Sequence, residues 1–462
     1  MRAKFNSFVT QIEEKHSDFR NSINAKYADF IRETWTKHAP EAPIPTPSKP
    51  EPPEQPIYVP APQEPDKPEP KPQPIPIDDV VTIPQPEEKP QPVEPIVEPK
   101  RPITVSIEVD FFGRKCQISL DKSAPLTLSN NNEEGVASAW EELSKDKYNT
   151  MLNECLALRD ELKLCDWAYI QLAQAVTREQ YGSDKCDAAI VTQAYILVQS
   201  GYKVRMGRVG GNLTLLLPSS EPIYGMTYIN LKGQKYYVLC EVGDEDTIGL
   251  CDASFPNEKI FSLYVSEQPM LPMHQVEERV FRSVKLGGDG ITLAVNRNLM
   301  NFYGTYPNCE WNIHAMASLS DEIKEQLYAY LRPAIEGKNA EAAANILINF
   351  VQTGFSYKTD EEQFGYERPL FGDETFFYPY SDCEDRAILF SILIRDLMGL
   401  DVVLLNYPEH LATAVHFKDD IQGDYIELND KKYLVCDPTY INAEIGLTMP
   451  DMYGQQVRII QL

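Results

Sequence analysis

The chain has 462 residues, a formal net charge of −26 and 43% apolar residues, enough to build real cores in three or fewer compact domains. The acidic balance argues against nucleic acid and anionic membrane surfaces as partners, and no apolar run reaches the roughly 18 residues of a transmembrane helix. Nine cysteines without CxxC spacing, and six histidines that do not cluster with carboxylates, suggest no disulfide framework, no metal site and no cofactor.

Residues 1–39 come first in chain order. Phe8, Ile12, Phe19, Ile23, Tyr27, Phe30, Ile31 and Trp35 recur at spacings of mostly three and four, which predicts an amphipathic helix or helical hairpin. Its apolar face needs a cover: the protein's own body, a second copy, or another protein partner. No signal-peptide core precedes it. The expected compartment is the cytoplasm if Met1 is the native start, and the periplasm if an export signal has been removed. From 40 to 102 the chain holds 23 of its 36 prolines, interleaved with Glu, Lys and Gln. That composition buries no core and predicts a disordered, polyproline-like linker.

Residues 103–305 begin with VSIEVDFFGRKCQISL, an alternating hairpin pattern around Gly113-Arg114, followed by helical periodicity over 134–176. Short apolar runs at 259–263 and 291–296 predict further strands. Residues 306–462 carry an apolar helix ending at 346–351, then an aromatic-rich stretch with Tyr357, Phe364, Tyr366, Phe371, Phe376, Phe377, Tyr378 and Tyr380. That stretch is either a cleft wall for a peptide-like substrate or ordinary packing. Cys383 then stands where a polar turn gives way to a helical run through Ala387, Leu389, Phe390, Ile392, Leu393 and Leu397, ended by Gly399. A thiol at a helix N-terminus is favoured as thiolate, which is the nucleophile. Strand patterns follow, carrying His410, His416 and Asp437. A cysteine, a histidine and an aspartate on separate elements are the parts of a nucleophile, a base and its orienting partner. The competing reading of Cys383 is a packed core thiol.

An internal repeat helps choose the base. Residues 183–201, SDKCDAAIVTQAYILVQSG, match residues 381–399, SDCEDRAILFSILIRDLMG, without a gap, and YINLKGQKYYVLC matches YIELNDKKYLVCD. In this register Lys185, Asn212 and Cys240 stand opposite Cys383, His410 and Asp437, whereas His416 falls opposite Pro218. His410 is therefore the preferred base and His416 the alternative. The first copy has lost every member of the triad.

Cys383-x-Asp385-x-Ala387 opening a helix, a His opening the second following strand, and Asp437-Pro438-Thr439 closing a later one resemble the transglutaminase-like superfamily, over roughly residues 310–462. The likeness is greater to bacterial cysteine hydrolases of that group than to animal transglutaminases. The resemblance implies a papain-like α+β fold with Cys383 as nucleophile, a His as base and Asp437 as its partner. It also points to Gln352 as a second oxyanion donor beside the Cys383 amide. The aromatic that usually follows the family's His is absent, since Leu-Ala-Thr-Ala follows His410.

The expected architecture is α+β: a helical segment at 1–39, a proline-rich linker at 40–102, a degenerate transglutaminase-like unit at 103–305 and a triad-bearing one at 306–462. The expected function is cysteine-dependent hydrolysis of an amide or peptide bond in a peptide or protein substrate. The alternative is a non-catalytic peptide-binding or scaffold protein built on the same clefts.

Overall fold

Two six-stranded sheets organise the chain, one in each of two compact units. The structure, a computed structural model, describes residues 2–33, 35–47, 54–60, 72–83, 88–99, 104–121, 125–243, 245–274 and 278–462, with side chains from residue 9 onward. The first unit comprises Met1–Pro45, Glu87–Leu263 and Pro269–Pro272, and the second Thr46–Pro86, Tyr264–Gln268 and Met273–Leu462. This division departs from the expected one. Residues 273–305 belong to the second unit, and the proline-rich stretch is shared between both.

In the first sheet the order is Thr36–His38, Ile248–Cys251, Arg205–Val209, Asn212–Pro218, Gln234–Val238, Tyr228–Leu231. In the second it is Ile77–Val81, Val457–Gln461, Asp401–Tyr407, His410–His416, Lys431–Cys436, Tyr425–Leu428. The two orders correspond strand for strand, and so do the registers. Val209 pairs Asn212 as Tyr407 pairs His410, Leu216 pairs Val238 as Ala414 pairs Val435, and Tyr228 pairs Tyr237 as Tyr425 pairs Leu434. A one-residue slip would turn each strand's apolar set to the wrong face, so matched registers mean matched cores. The outermost strands differ: Thr36–His38 joins antiparallel and Ile77–Val81 parallel.

Each sheet packs one nearly all-buried helix, Asp187–Gln199 in the first unit and Cys383–Met398 in the second. Gly399, at φ 64°, caps the latter in the left-handed conformation that glycine adopts without a Cβ penalty. On the second sheet Val403, Leu405, Ala412, Ala414, Ile426, Val435 and Ile459 form one core with Met449 and Met452. Truncating any large aliphatic member to Ala costs about 2–5 kcal/mol.

The Arg2–Arg32 helix covers its own unit. Tyr27 packs on Trp140 and Phe255, Ala28 and Ile31 are fully buried, and the Arg20 guanidinium donates to Gln199, Asn149 and Tyr195. Of the three covers expected for this apolar face, the protein's own body is the one seen. The linker expectation is corrected in the described part of 40–102. Glu41 and Ile44 bridge Tyr228 and Tyr224, Ile57 bridges Ile441, Pro74 bridges Tyr425, and Ile77–Val81 is a sheet strand. Proline-rich chain cannot build a core, but its carbonyls and spare N–H groups can complete a sheet edge. Residues 48–53, 61–71, 84–87 and 100–102 of that stretch lie outside the described residues.

The Thr104–Phe111 and Arg114–Asp121 strands form the expected hairpin, turning at Phe112-Gly113 where φ is positive at both positions. The helical stretch at 134–176 is three helices, Glu133–Leu143, Asn149–Glu161 and Asp166–Tyr181. No helix among the described residues is long and apolar enough to cross a membrane.

Candidate active site

Cys383 is the first residue of its helix, with Asp382 as N-cap. The Asp382 amide donates to Asp385 Oδ2 at 3.3 Å, and the Leu370 amide donates to Asp385 Oδ1 at 2.9 Å. Asp385 thus ties the helix start to the preceding loop, which explains its place in the motif without any part in chemistry.

The Cys383 thiol accepts from the Leu411 amide at 3.3 Å and donates to Glu384 Oε2 at 3.1 Å. Leu411 follows His410, which opens the His410–His416 strand. His410 Nε2 lies 2.9 Å from Asp437 Oδ2. Asp437 Oδ1 accepts from the Thr439 and Tyr440 amides at 2.9 and 3.3 Å. One carboxylate oxygen is therefore fixed by its own turn and the other is turned to the imidazole. The site is enclosed: Cys383 is 1% exposed, His410 2% and Asp437 3%.

His416 stands at the far end of the strand, opposite Asp401. Its Nδ1 meets the Lys432 carbonyl at 2.9 Å and its ring packs on Tyr433. Six residue steps of about 3.3 Å each separate it from His410, so one strand cannot bring both to one thiol.

Gln352 is placed differently from the expectation. Its Nε2 donates to the carbonyls of Asp437, Tyr440 and Ala443 at 3.1, 2.7 and 3.0 Å, and the side chain is buried. An amide nitrogen has two hydrogens, both spent on these carbonyls. Gln352 is thus no oxyanion donor; it clamps the loop that carries Asp437.

The other charges at the helix start escaped sequence reasoning. Arg386 is fully buried, donating to Ser381 Oγ at 3.2 Å, the Gln352 carbonyl at 3.3 Å and the Phe355 carbonyl at 3.0 Å. Burial lowers its pKa to about 10, and Asp382, Asp385 and Cys383 all lie within Coulombic range. Asp360, Asp382 and Glu384 each bring one oxygen within 4.8 Å of the others, the one such convergence of potential metal-ligand groups among the described residues. Burial, then the nearby Asp385 and Glu384, push Asp360 up to about 9; burial, then Glu384, push Asp385 up to about 7. Carboxylates this close and this dry hold protons at neutral pH or require a cation. Spacing in sequence gave half a signal, Asp382 and Glu384 flanking Cys383. Asp360, more than twenty residues upstream, gave none.

The aromatic stretch divides. Phe371 and Phe376 are core residues, stacked on Tyr303 and packed on Phe281 and Phe355. Tyr366 is exposed, and Arg368 lies over the rings of Phe364 and Tyr378. His314 is a core histidine: burial pushes it down to about 4, and its ring packs on Phe371.

The first unit lacks these groups. Lys185 and Asn212 are exposed, and so is Cys240. Its helix starts at Asp187, two residues later than the register with Cys383 implies. Asp187 Oδ1 accepts from the Leu213 amide at 2.8 Å, as Cys383 Sγ accepts from the Leu411 amide. Asp187, not Lys185, thus stands where the Cys383 thiol stands in the second unit.

Comparison with family models, with curated proteins and with solved structures gave no match.

Proposed function

We propose that the second unit is a transglutaminase-like cysteine hydrolase acting on an amide or peptide bond. The observation that carries this reading is that the His410 imidazole lies on the Asp437 carboxylate while the Cys383 thiol accepts from the amide of Leu411, the residue after His410. With Nε2 facing Asp437, Nδ1 is the nitrogen left to take the thiol proton. The thiolate then attacks the carbonyl carbon and an S–C bond forms, with the Cys383 N–H at the helix start stabilising the oxyanion. The C–N bond breaks as His410 returns its proton to the leaving amine. Water, deprotonated by His410, opens the thioester, and the thiol and a carboxylic acid are released. Burial of Arg386 within Coulombic range of Cys383 favours the thiolate; Glu384 opposes it.

The second reading is a binding protein that breaks no bond. The enclosure of Cys383 and its contact with Glu384 favour it, as does the survival of the same sheet in the first unit without a triad. Alkylation by iodoacetamide, read at Cys383 by peptide mass spectrometry, separates the two. An enzyme gives fast labelling near neutral pH that falls about 10²-fold or more in His410→Ala. Labelling no faster than a free thiol of pKa about 8.5, and indifferent to His410, would establish the binding protein instead.

A further inference from the structure

The loop from 437 to 443 is held from two sides, and one holder comes from the proline-rich stretch. From inside, Gln352 takes three of its carbonyls. From outside, Gln55 Nε2 donates to the Thr439 carbonyl at 2.9 Å and to the Gln352 carbonyl at 3.1 Å. The Ile441 amide donates to the Pro56 carbonyl at 2.9 Å, and the Tyr58 amide donates to the Ile441 carbonyl at 2.8 Å. The Tyr58 ring meets Tyr440 edge to face at 5.7 Å. All these residues belong to the second unit.

We propose that residues 55–58 are a positioning strap for the triad carboxylate, with Gln55 as its main positioning residue. The inference rests on the proposed function, because it concerns the aspartate assigned there. Asp437 can orient His410 only while its own turn is fixed. Two of the three carbonyls that Gln352 holds, those of Tyr440 and Ala443, lie beyond that turn. Gln55 closes the gap: one amide group bridges Gln352, the inner holder, and Thr439, the residue whose N–H fixes Asp437 Oδ1. Without it, Thr439 loses its outer anchor and the Gln352 carbonyl keeps only the long bond from Arg386. A shift of about 1 Å in an orienting group is worth up to 10²-fold in rate. Proline at 56 suits the role. It offers the carbonyl that Ile441 needs, spends no N–H, and limits the entropy the strap loses on docking.

The test uses the full chain labelled with ¹⁵N-histidine. The His410 Nε2–H, hydrogen-bonded to Asp437, gives a protected downfield resonance in the unsubstituted protein. In Gln55→Ala that resonance broadens by solvent exchange, and iodoacetamide alkylation of Cys383 slows about tenfold or more, with circular dichroism unchanged. Should Gln55→Ala fail to fold, Gln55→Asn withdraws the amide by one methylene and keeps its polarity, with the same expected result. A retained resonance, or alkylation within twofold of the unsubstituted protein, overturns the strap. Loss of the resonance together with alkylation that never depended on His410 leaves the strap in place and refutes the hydrolase.

Discussion

Two sheets with the same strand order and the same registers carry two different helix starts. In the second unit the helix opens at Cys383 amid buried Asp360, Asp382, Glu384, Asp385 and Arg386. In the first it opens two residues later, at Asp187, which meets the Leu213 amide and Asn131, while Lys185 and Asn212 face solvent. A carboxylate in the thiol's place satisfies the same backbone amide, with no neighbouring imidazole to serve. The sheet therefore forms with or without the Cys383, His410 and Asp437 set, because its stability resides in paired strands and an apolar helix face rather than in the polar end. What the second unit adds is a set of buried ionisable groups, costly to hold, whose hydrogen bonds run largely to backbone groups.

The sharpest way to break this contrast is to substitute equivalent residues. His410→Ala should lower Cys383 alkylation about 10²-fold or more, while Asn212→Ala and Asp187→Ala leave it unchanged. His416→Ala should be near neutral, its ring being spent on Lys432 and Tyr433. If Asp187→Ala slows alkylation in a variant that remains folded, the first unit contributes to the chemistry and the division is wrong.

A second contrast concerns the helix C-termini. Gly201 and Gly399 both sit at positive φ, 95° and 64°. A Cβ on Gly201 would stand 2.3 Å from the Gln91 carbonyl oxygen, where the proline-rich chain crosses, whereas one on Gly399 meets nothing within 4 Å. Gly399→Ala should cost about 1–2 kcal/mol, the left-handed penalty alone. Gly201→Ala should cost at least about twice that, since backbone must move. Denaturant titration of the two variants measures both, and equal losses would show that the crossing at Gln91 is loose.

The smallest effect sharpens the electrostatic difference. Asp360 and Asp385 have folded-state pKa values raised by burial to about 9 and about 7, so the native state binds more protons than the unfolded chain between these values and the ordinary carboxylate range. Their contribution is complete below the unfolded carboxylate pKa of about 4 and is lost progressively as pH rises from there through the folded values of about 7 and about 9. The melting temperature should fall across that window, by a few degrees on the order of one kcal/mol of lost stability. In Asp360→Asn the fall should be shallower. An unchanged slope would mean that the carboxylates ionise without penalty.

Sequence patterning by itself determined the repeat, its register and the order Cys383, His410, Asp437, because strand alternation and helix periodicity are local and leave a countable trace. It also pointed to His410 rather than His416, and the match of Asn212 to His410 carries through to the strand pairing. Gln352 was legible only as a polar residue ending an apolar helix, which is equally consistent with a donor and a clamp. Its partners lie 85 or more positions away. The same holds for Asp360, which joins the helix start only through folding, and for Asp187, whose role follows from a helix that begins two residues late. The proline-rich stretch misled for a physical reason. Its composition shows correctly that it builds no core, but composition is silent about edges offered by distant strands. Only the tertiary structure supplied Tyr425, Ile441 and Val457 as partners for Pro74, Ile57 and Ile77, turning chain with no structure of its own into part of a sheet.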